Sequence, residues 1–234
     1  MTARVQAEVW FVDLDAFAAR PGLAALLDRT ERARLGRIAV PRAARRYTAA
    51  HAALRLITAA HCGVPADRIR WTATRHGKPL LAPIDQRSPR PLQVNLSHSA
   101  GLAAIALAPG RPIGVDLERL GAVPPRVPAG LRHWPAPADP AAFFRYWTRL
   151  EACVKATGAR LTDGLTLPVA DLTGPGGPIR ATGGPLAGHH WHLRDLTAPA
   201  GYAAAVALTG DAAFTVRARH WPLPTTPVRP PGTA

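Results

Sequence analysis

The sequence predicts an α+β fold built as two similar halves, and three observations lead there. A small-residue segment over residues 100–110, Ala100-Gly101-Leu102 through Pro109-Gly110, returns about one hundred residues later as Ala200-Gly201-Tyr202 through Thr209-Gly210. Each copy reads as a buried strand bounded by glycines. Upstream, an apolar-periodic helix opens on Arg46-Tyr47 in the first half and on Arg145-Tyr146 in the second. Each half therefore runs long helix, strands, then a small-residue strand, and this ordered recurrence carries the prediction. The halves are assigned to residues 1–110 and 111–215, with a Pro-rich tail over 216–234.

In chain order, Phe11-Val12-Asp13-Leu14-Asp15 reads as a strand whose acids alternate at a solvated end. The first long helix continues through Leu54 and Ile57. Val94-Asn95-Leu96-Ser97-His98-Ser99 leads into the first repeat strand and ends in a polar cluster. A histidine between two hydroxyls is suited to a pyrophosphate; the plainer reading is a turn whose serines bond nearby backbone. The junction lies near Pro109 to Pro112, and Gly114-Val115-Asp116-Leu117-Glu118 follows it as a strand. Alternation there turns Asp116 and Glu118 one way and Val115 and Leu117 toward a core. Residues 122–140, rich in Pro, Gly and Ala, read as a long loop. On the second helix, Glu151 and Lys155 stand one turn apart on one face. Residues 174–188 read as a surface connection between strands. His189-His190-Trp191-His192 is read as strand and loop histidines, because only His190 and His192 share a face and no further Cys or His ligand lies nearby.

Asp116, Glu118 and Glu151 with Lys155 amount to three carboxylates and an ammonium that converge if strand and helix pack together. Such a set suits a hard cation beside a phosphate, the chemistry of phosphoryl transfer. Two like charges on one strand face repel unless a cation neutralises them, and Arg119 is the alternative to a metal. An ordinary surface pair is the plain reading of Glu151 and Lys155.

The formal net charge is +14, which favours an acidic partner. Of 29 basic residues only Lys78 and Lys155 are lysines, leaving 27 arginines. A compact ammonium is a point donor that the wider guanidinium fork does not replace in a tight site, which singles out both lysines. Nucleic acid is disfavoured as the partner, because no aromatic residues interleave with the charges and no reading module is recognisable. No run is apolar enough for a membrane span, no export signal is visible, and Cys62 and Cys153 sit in helical patterns. The expectation is a cytoplasmic protein without a disulfide framework.

Gly77-Lys78-Pro79, then Asn95-Leu96-Ser97-His98-Ser99, then Gly114-Val115-Asp116-Leu117-Glu118, then Trp147-Thr148-x-x-Glu151-Ala152-x-x-Lys155 resemble, in order and spacing, the surfactin-type 4'-phosphopantetheinyl transferases. The likeness covers roughly residues 28–170, and the two-half plan reaches about residue 215. It implies two α+β subdomains related by a pseudo-twofold axis, with coenzyme A and Mg²⁺ between them. It also implies transfer of the phosphopantetheine arm to a serine of an acidic apo acyl or peptidyl carrier protein, releasing adenosine 3',5'-bisphosphate.

Carried over by position, Asp116, Glu118 and Glu151 hold Mg²⁺, Lys155 contacts the transferring phosphate, and Glu151 is the candidate base. Ser97 and His98 bind coenzyme A phosphates, Lys78 falls at the adenine and ribose end, and Arg46 serves the 3'-phosphate with Arg45 as a substitute. Leu150 departs from the usual Lys before the helical Glu, with Arg149 as a possible replacement cation, and Val94 stands for a frequent Phe. Loss of that cation defines an alternative, a relative that binds coenzyme A without transferring its arm; a basic nucleic-acid-binding protein is the other. Two fused halves make a monomer the simplest expectation. The carrier stays open among fatty acid, polyketide, nonribosomal peptide and siderophore synthesis.

Overall fold

Two four-stranded sheets lie face to face, and a long helix backs each of them. The computed structural model describes residues 4–84, 91–121, 139–167 and 169–221. Strand β1 (Gln6–Asp13) leads through the short helices α1 (Leu14–Phe17), α2 (Leu23–Leu26) and α3 (Arg29–Leu35) into the long helix α4 (Pro41–Cys62). A small hairpin of β2 (Trp71–Ala73) and β3 (Pro79–Leu81) follows, then the antiparallel pair β4 (Leu92–Ser99) and β5 (Leu102–Pro109). The second half opens with β6 (Ile113–Arg119) and continues with the long helix α5 (Pro140–Thr157), α6 (Leu161–Gly164) and α7 (Val169–Thr173). It ends with β7 (Gly177–Arg180), β8 (His190–Asp195), β9 (Tyr202–Thr209) and β10 (Thr215–His220). The sheet orders are β10-β1-β5-β4 and β6-β9-β8-β7.

The two alanine-rich strands explain their own composition. On β5, Ala103, Ile105 and Leu107 face the α4 side, while Leu102, Ala104, Ala106 and Ala108 enter a core shared by both sheets. On β9, Ala205 and Ala207 face the α5 side, while Ala204, Val206 and Leu208 enter that same shared core. Both strands are covered on two faces, so the usual alternation of apolar and polar residues is lost and small side chains fill both layers. Each strand ends at a glycine in the left-handed region, Gly110 at φ 73° and Gly210 at φ 88°. The mixed α+β fold in two subdomains agrees with the sequence prediction.

Several expectations change in detail. The long helices start earlier than read, at Pro41 and Pro140, each five residues before its Arg-Tyr pair. Proline suits the first helical position; the first turn of α4 is exposed and leaves no burial period to read, whereas α5 already buries Phe143 and Phe144 before its Arg-Tyr pair. Asp13 and Asp15 do not share a strand face: Asp13 ends β1 and caps α1, and Asp15 lies in the first turn of α1. Residues 174–188 hold strand β7 as well as a connection. Strand β10 crosses the boundary drawn at 215 and pairs in parallel with β1, so the first sheet is completed from the far end of the chain. The remainder of the expected tail, 222–234, and most of the expected loop, 122–138, lie outside the described residues. Among the described residues no helix is long and apolar enough to cross a membrane, and both cysteines are free thiols.

Gly114 sets the distance between α5 and the second sheet. A Cβ placed there would stand 2.1 Å from the Ala152 carbonyl oxygen and 2.4 Å from the Ala156 nitrogen, so the helix backbone rests directly on the strand. Gly114→Ala is expected to lift α5 and destabilise the fold by about 3 kcal/mol, the upper end of typical overpacking penalties. An unchanged midpoint in urea denaturation would refute this close-contact role.

Candidate active site

β4 and β6 are the facing edge strands of the two sheets, and polar side chains of β4 bridge them. The Val115 N–H donates to Asn95 Oδ1 at 2.8 Å. Two residues on, the Ser97 hydroxyl donates to Asp116 Oδ1 at 2.7 Å. Two further on, the Ser99 hydroxyl donates to Glu118 Oε2 at 2.7 Å and accepts the Arg119 N–H at 3.1 Å. Strand alternation turns Asn95, Ser97 and Ser99 to one face, so one run of sequence bridges the seam three times. Asn95 is 4% exposed, which makes its bond a structural tie rather than a surface contact.

The second helix brings the rest. Lys155 Nζ lies 2.5 Å from Asp116 Oδ1, 3.1 Å from Ser97 Oγ and 3.5 Å from Glu151 Oε2. Asp116 is 2% exposed, and its second oxygen, Oδ2, is buried with no hydrogen-bond partner. Burial works against the Lys155 ammonium, but Asp116 and Glu151 outweigh it and hold its pKa above the ordinary value. Burial pushes the Glu151 carboxyl up, reinforced by Asp116 and Glu118 and opposed by Lys155. Glu118 is also raised, first by burial and further by Asp116, against the bond from Ser99.

Asp116, Glu151 and Lys155 thus meet in one place, while Glu118 stands two residues further along β6 on Ser99. The three acids do not by themselves enclose a point: among the described residues no group of three His, Cys, Asp or Glu side chains is arranged to hold a metal ion. The Lys155 ammonium instead stands against Asp116 and Glu151, where it offsets the repulsion between desolvated carboxylates. The unpartnered Asp116 oxygen and the all-oxygen donor set nevertheless fit a hard divalent cation.

His98 projects from the opposite face of β4, toward the α4 side. Desolvation, then the neighbouring His51, Lys155, Arg34 and Arg46, hold its pKa below the ordinary 6.5. Ser97 and His98 therefore serve two sides of one edge strand. Arg46 grips Asp15 through two bonds, Nε to Oδ1 at 2.7 Å and Nη2 to Oδ2 at 2.6 Å, and Arg42 reaches the same carboxylate at 3.1 Å. Arg45 is exposed. Lys78 is half-buried, with its ammonium on the carbonyl oxygens of Ile113 and Ala156, each at 2.9 Å, and desolvation pushes its pKa down to about 8. The histidine tract behaves as read: His190 pairs with exposed Asp211, and His189 bonds the Leu186 carbonyl.

On the first subdomain a cavity of about 340 Å³ opens between α3, α4 and the small hairpin, with Arg34, Tyr47, His51, Trp71, Gly77 and Pro79 in its lining. The Tyr47 and His51 rings lie 4.1 Å apart, and His51 Nδ1 is 3.0 Å from Glu31 Oε1. Sequence reading gave no site role to Asn95 or Tyr47, although it named both, and did not single out Arg34 or His51. A signal existed for Tyr47 and His51, since they are polar residues one turn apart on an apolar helix.

Residues 112–207 match the 4'-phosphopantetheinyl transferase superfamily, and residues 19–110 match the 4'-phosphopantetheinyl transferase N-terminal family. Over 217 residues, 88% of each chain, the sequence is 34% identical to the 4'-phosphopantetheinyl transferase HetI of Nostoc sp.. The chain belongs to the 4'-phosphopantetheinyl transferase superfamily. It is also 29% identical over 178 residues to the protein slr0495 of Synechocystis sp., covering 71% of this chain and 70% of that one. A shorter stretch of 90 residues, 38% of this chain and 29% of the other, is 32% identical to the L-aminoadipate-semialdehyde dehydrogenase-phosphopantetheinyl transferase of Mus musculus.

The departure at Leu150 and its suggested substitute Arg149 now have physical readings in this transferase. Arg149 is not a replacement cation for the site. It is 3% exposed, forks onto Asp195 at 2.7 and 2.5 Å, and donates to the carbonyls of Leu172 and Gly174. Leu150 is fully buried in the core beneath α5, so an apolar side chain there is a packing choice. Asn95→Ala should strand the buried Val115 N–H and destabilise the fold by about 1–3 kcal/mol, the usual penalty for a lost partner in the interior. Chemical denaturation checks this, and an unshifted midpoint would show the seam to be held by other contacts.

Proposed function

We propose that this transferase moves the 4'-phosphopantetheine arm of coenzyme A to a serine hydroxyl of an apo acyl or peptidyl carrier protein. Adenosine 3',5'-bisphosphate is the leaving product, and the enzyme is of the surfactin type, working as a cytoplasmic monomer. The observation that carries the reading is the buried Asp116 carboxylate. One oxygen is saturated by Ser97 and Lys155, the other is unpartnered, and two acids of raised pKa stand beside it.

In this reading Asp116, Glu118 and Glu151 hold Mg²⁺, which when bound supplies charge neutralisation for the diphosphate. Lys155, held as an ammonium by its acidic neighbours, donates to the transferring phosphoryl group. Glu151, as a ligand or through a water it holds, would accept the proton of the attacking serine hydroxyl. The serine oxygen bonds to the phosphorus that bears pantetheine, and the bond from that phosphorus to the bridging oxygen breaks. Holding the two substrates in line provides much of the acceleration, which is why the geometry of the seam matters.

The adenosine end of coenzyme A enters the cavity beside Tyr47, Trp71 and the Gly77-Lys78-Pro79 turn. Arg34 and His51 in its lining, with Arg46 exchanging away from Asp15, meet the 3'-phosphate. Ser97 and His98 serve the diphosphate from the two faces of β4. The net charge of +14 steers an acidic carrier protein toward the site.

Asp116→Ala or Glu151→Gln should lower transfer of labelled phosphopantetheine to an apo carrier by about 100-fold or more. Circular dichroism confirms that the variants fold. Full activity in either would remove the assigned site.

His98 yields a proton-linkage test. With its free pKa below 6.5 it is largely neutral at about pH 7, and an anion bound beside it raises that pKa. The complex therefore takes up a proton at His98, and this contribution to affinity grows as pH falls. Calorimetry of coenzyme A binding in buffers of different ionisation heat should show proton uptake that His98→Gln reduces. Equal uptake in both proteins would place His98 away from the phosphates.

A further inference from the structure

Lys78 does something other than wait for a ligand. Its ammonium donates to Ile113 O and Ala156 O, each at 2.9 Å, so a lysine of the first subdomain joins two elements of the second. Ala156 lies in the last turn of α5, where carbonyls have no partner within the helix. Gly158 caps that end by donating to the Val154 and Lys155 carbonyls, and Ala159 also bonds Val154, which leaves the Ala156 carbonyl to Lys78. A positive charge is favourable there, at the negative end of the helix dipole.

The stem also passes close to the glycine that ends α5. Lys78 Cδ comes within 3.5 Å of where a Cβ of Gly158 would sit, and Thr74 is equally close. The backbone of Thr74 and Lys78 closes the hairpin, Thr74 N–H to Lys78 O at 2.9 Å, and the Lys78 N–H also donates to Thr74 Oγ1 at 3.1 Å. The two carbonyls it grips flank the reacting groups. Ala156 follows Lys155 directly, and Ile113 precedes Gly114, the residue on which α5 rests.

We propose that Lys78 is a positioning residue: it fastens the C-terminal end of α5 to the start of β6 and so sets Lys155 and Glu151 over Asp116. Its contribution is to the rate of transfer and to stability, and coenzyme A is bound by other groups. This rests on the proposed transfer reaction and deepens it.

Lys78→Met keeps most of the stem and removes the donor. Its kcat should fall about 10-fold or more, since a sub-ångström displacement of reacting groups is enough for that. The KM for coenzyme A should stay within about threefold, the pattern of a group that acts on the transition state and not on ground-state binding. The melting temperature should fall by several degrees, and Lys78→Arg, which keeps the charge but has a wider fork than this point-donor site fits, should recover only part of both losses. A rise of about tenfold in KM with kcat and melting temperature intact would overturn the proposal and make Lys78 a ligand contact. Wild-type kcat and melting temperature in Lys78→Met would overturn it too. If Lys78→Met does not fold, Lys78→Arg decides by the same split between kcat and KM. The melting measurement needs no substrate, so it tests the fastening even if the wild-type protein transfers nothing to a carrier.

Discussion

The buried carboxylate of Asp116 is the constraint around which the rest is arranged. An ionised acid removed from water is unfavourable unless other groups replace its hydration. Here a hydroxyl from the first sheet and an ammonium from the second helix do so, and they come from opposite subdomains. The two groups that replace its hydration are in place only while β4, β6 and α5 remain together. Assembly of the fold and assembly of the site are one event, and the bonds from Asn95 and Ser99 extend the same seam above and below it.

That seam requires close approach, and small residues permit it. Gly114 lets the α5 backbone lie on β6, which brings side chains at 151 and 155 within reach of the strand. Alanines on β5 and β9 keep helix, sheet, sheet and helix tightly layered. Bulk is supplied by Trp191 and Tyr146 in the core beneath α5 and by Phe11 in the core between the sheets. Charge is handled separately: Arg55 and Arg149, both almost fully buried, are spent on carboxylates and carbonyls that fasten loops to the helices. The large arginine count therefore divides between internal ties and the exposed basic surface.

Much of this was readable from the chain. The doubled order of helix and small-residue strand identified the two halves, because strands covered on both faces need small side chains wherever they occur. The spacing of Asp116 and Glu118 on a strand, and of Glu151 and Lys155 on a helix, predicted a shared face for each pair. Less was readable where partners are distant in sequence. Nothing near Arg149 announces that Asp195 takes its fork, and nothing near Arg46 announces Asp15. The helix start at Pro41 was misplaced because its exposed first turn carries no apolar period.

Local periodicity and residue chemistry thus specified which groups are available and which way each faces on its own element, since side-chain direction follows from backbone repeat alone. Pairing between elements lay beyond that reach. Whether the Lys78 ammonium meets a ligand or two carbonyls, whether β10 belongs to its own half or to the first sheet, and which acid the Lys155 ammonium meets at 2.5 Å all depend on contacts across the molecule. Such contacts are settled by packing many segments at once, and no single stretch of chain encodes them.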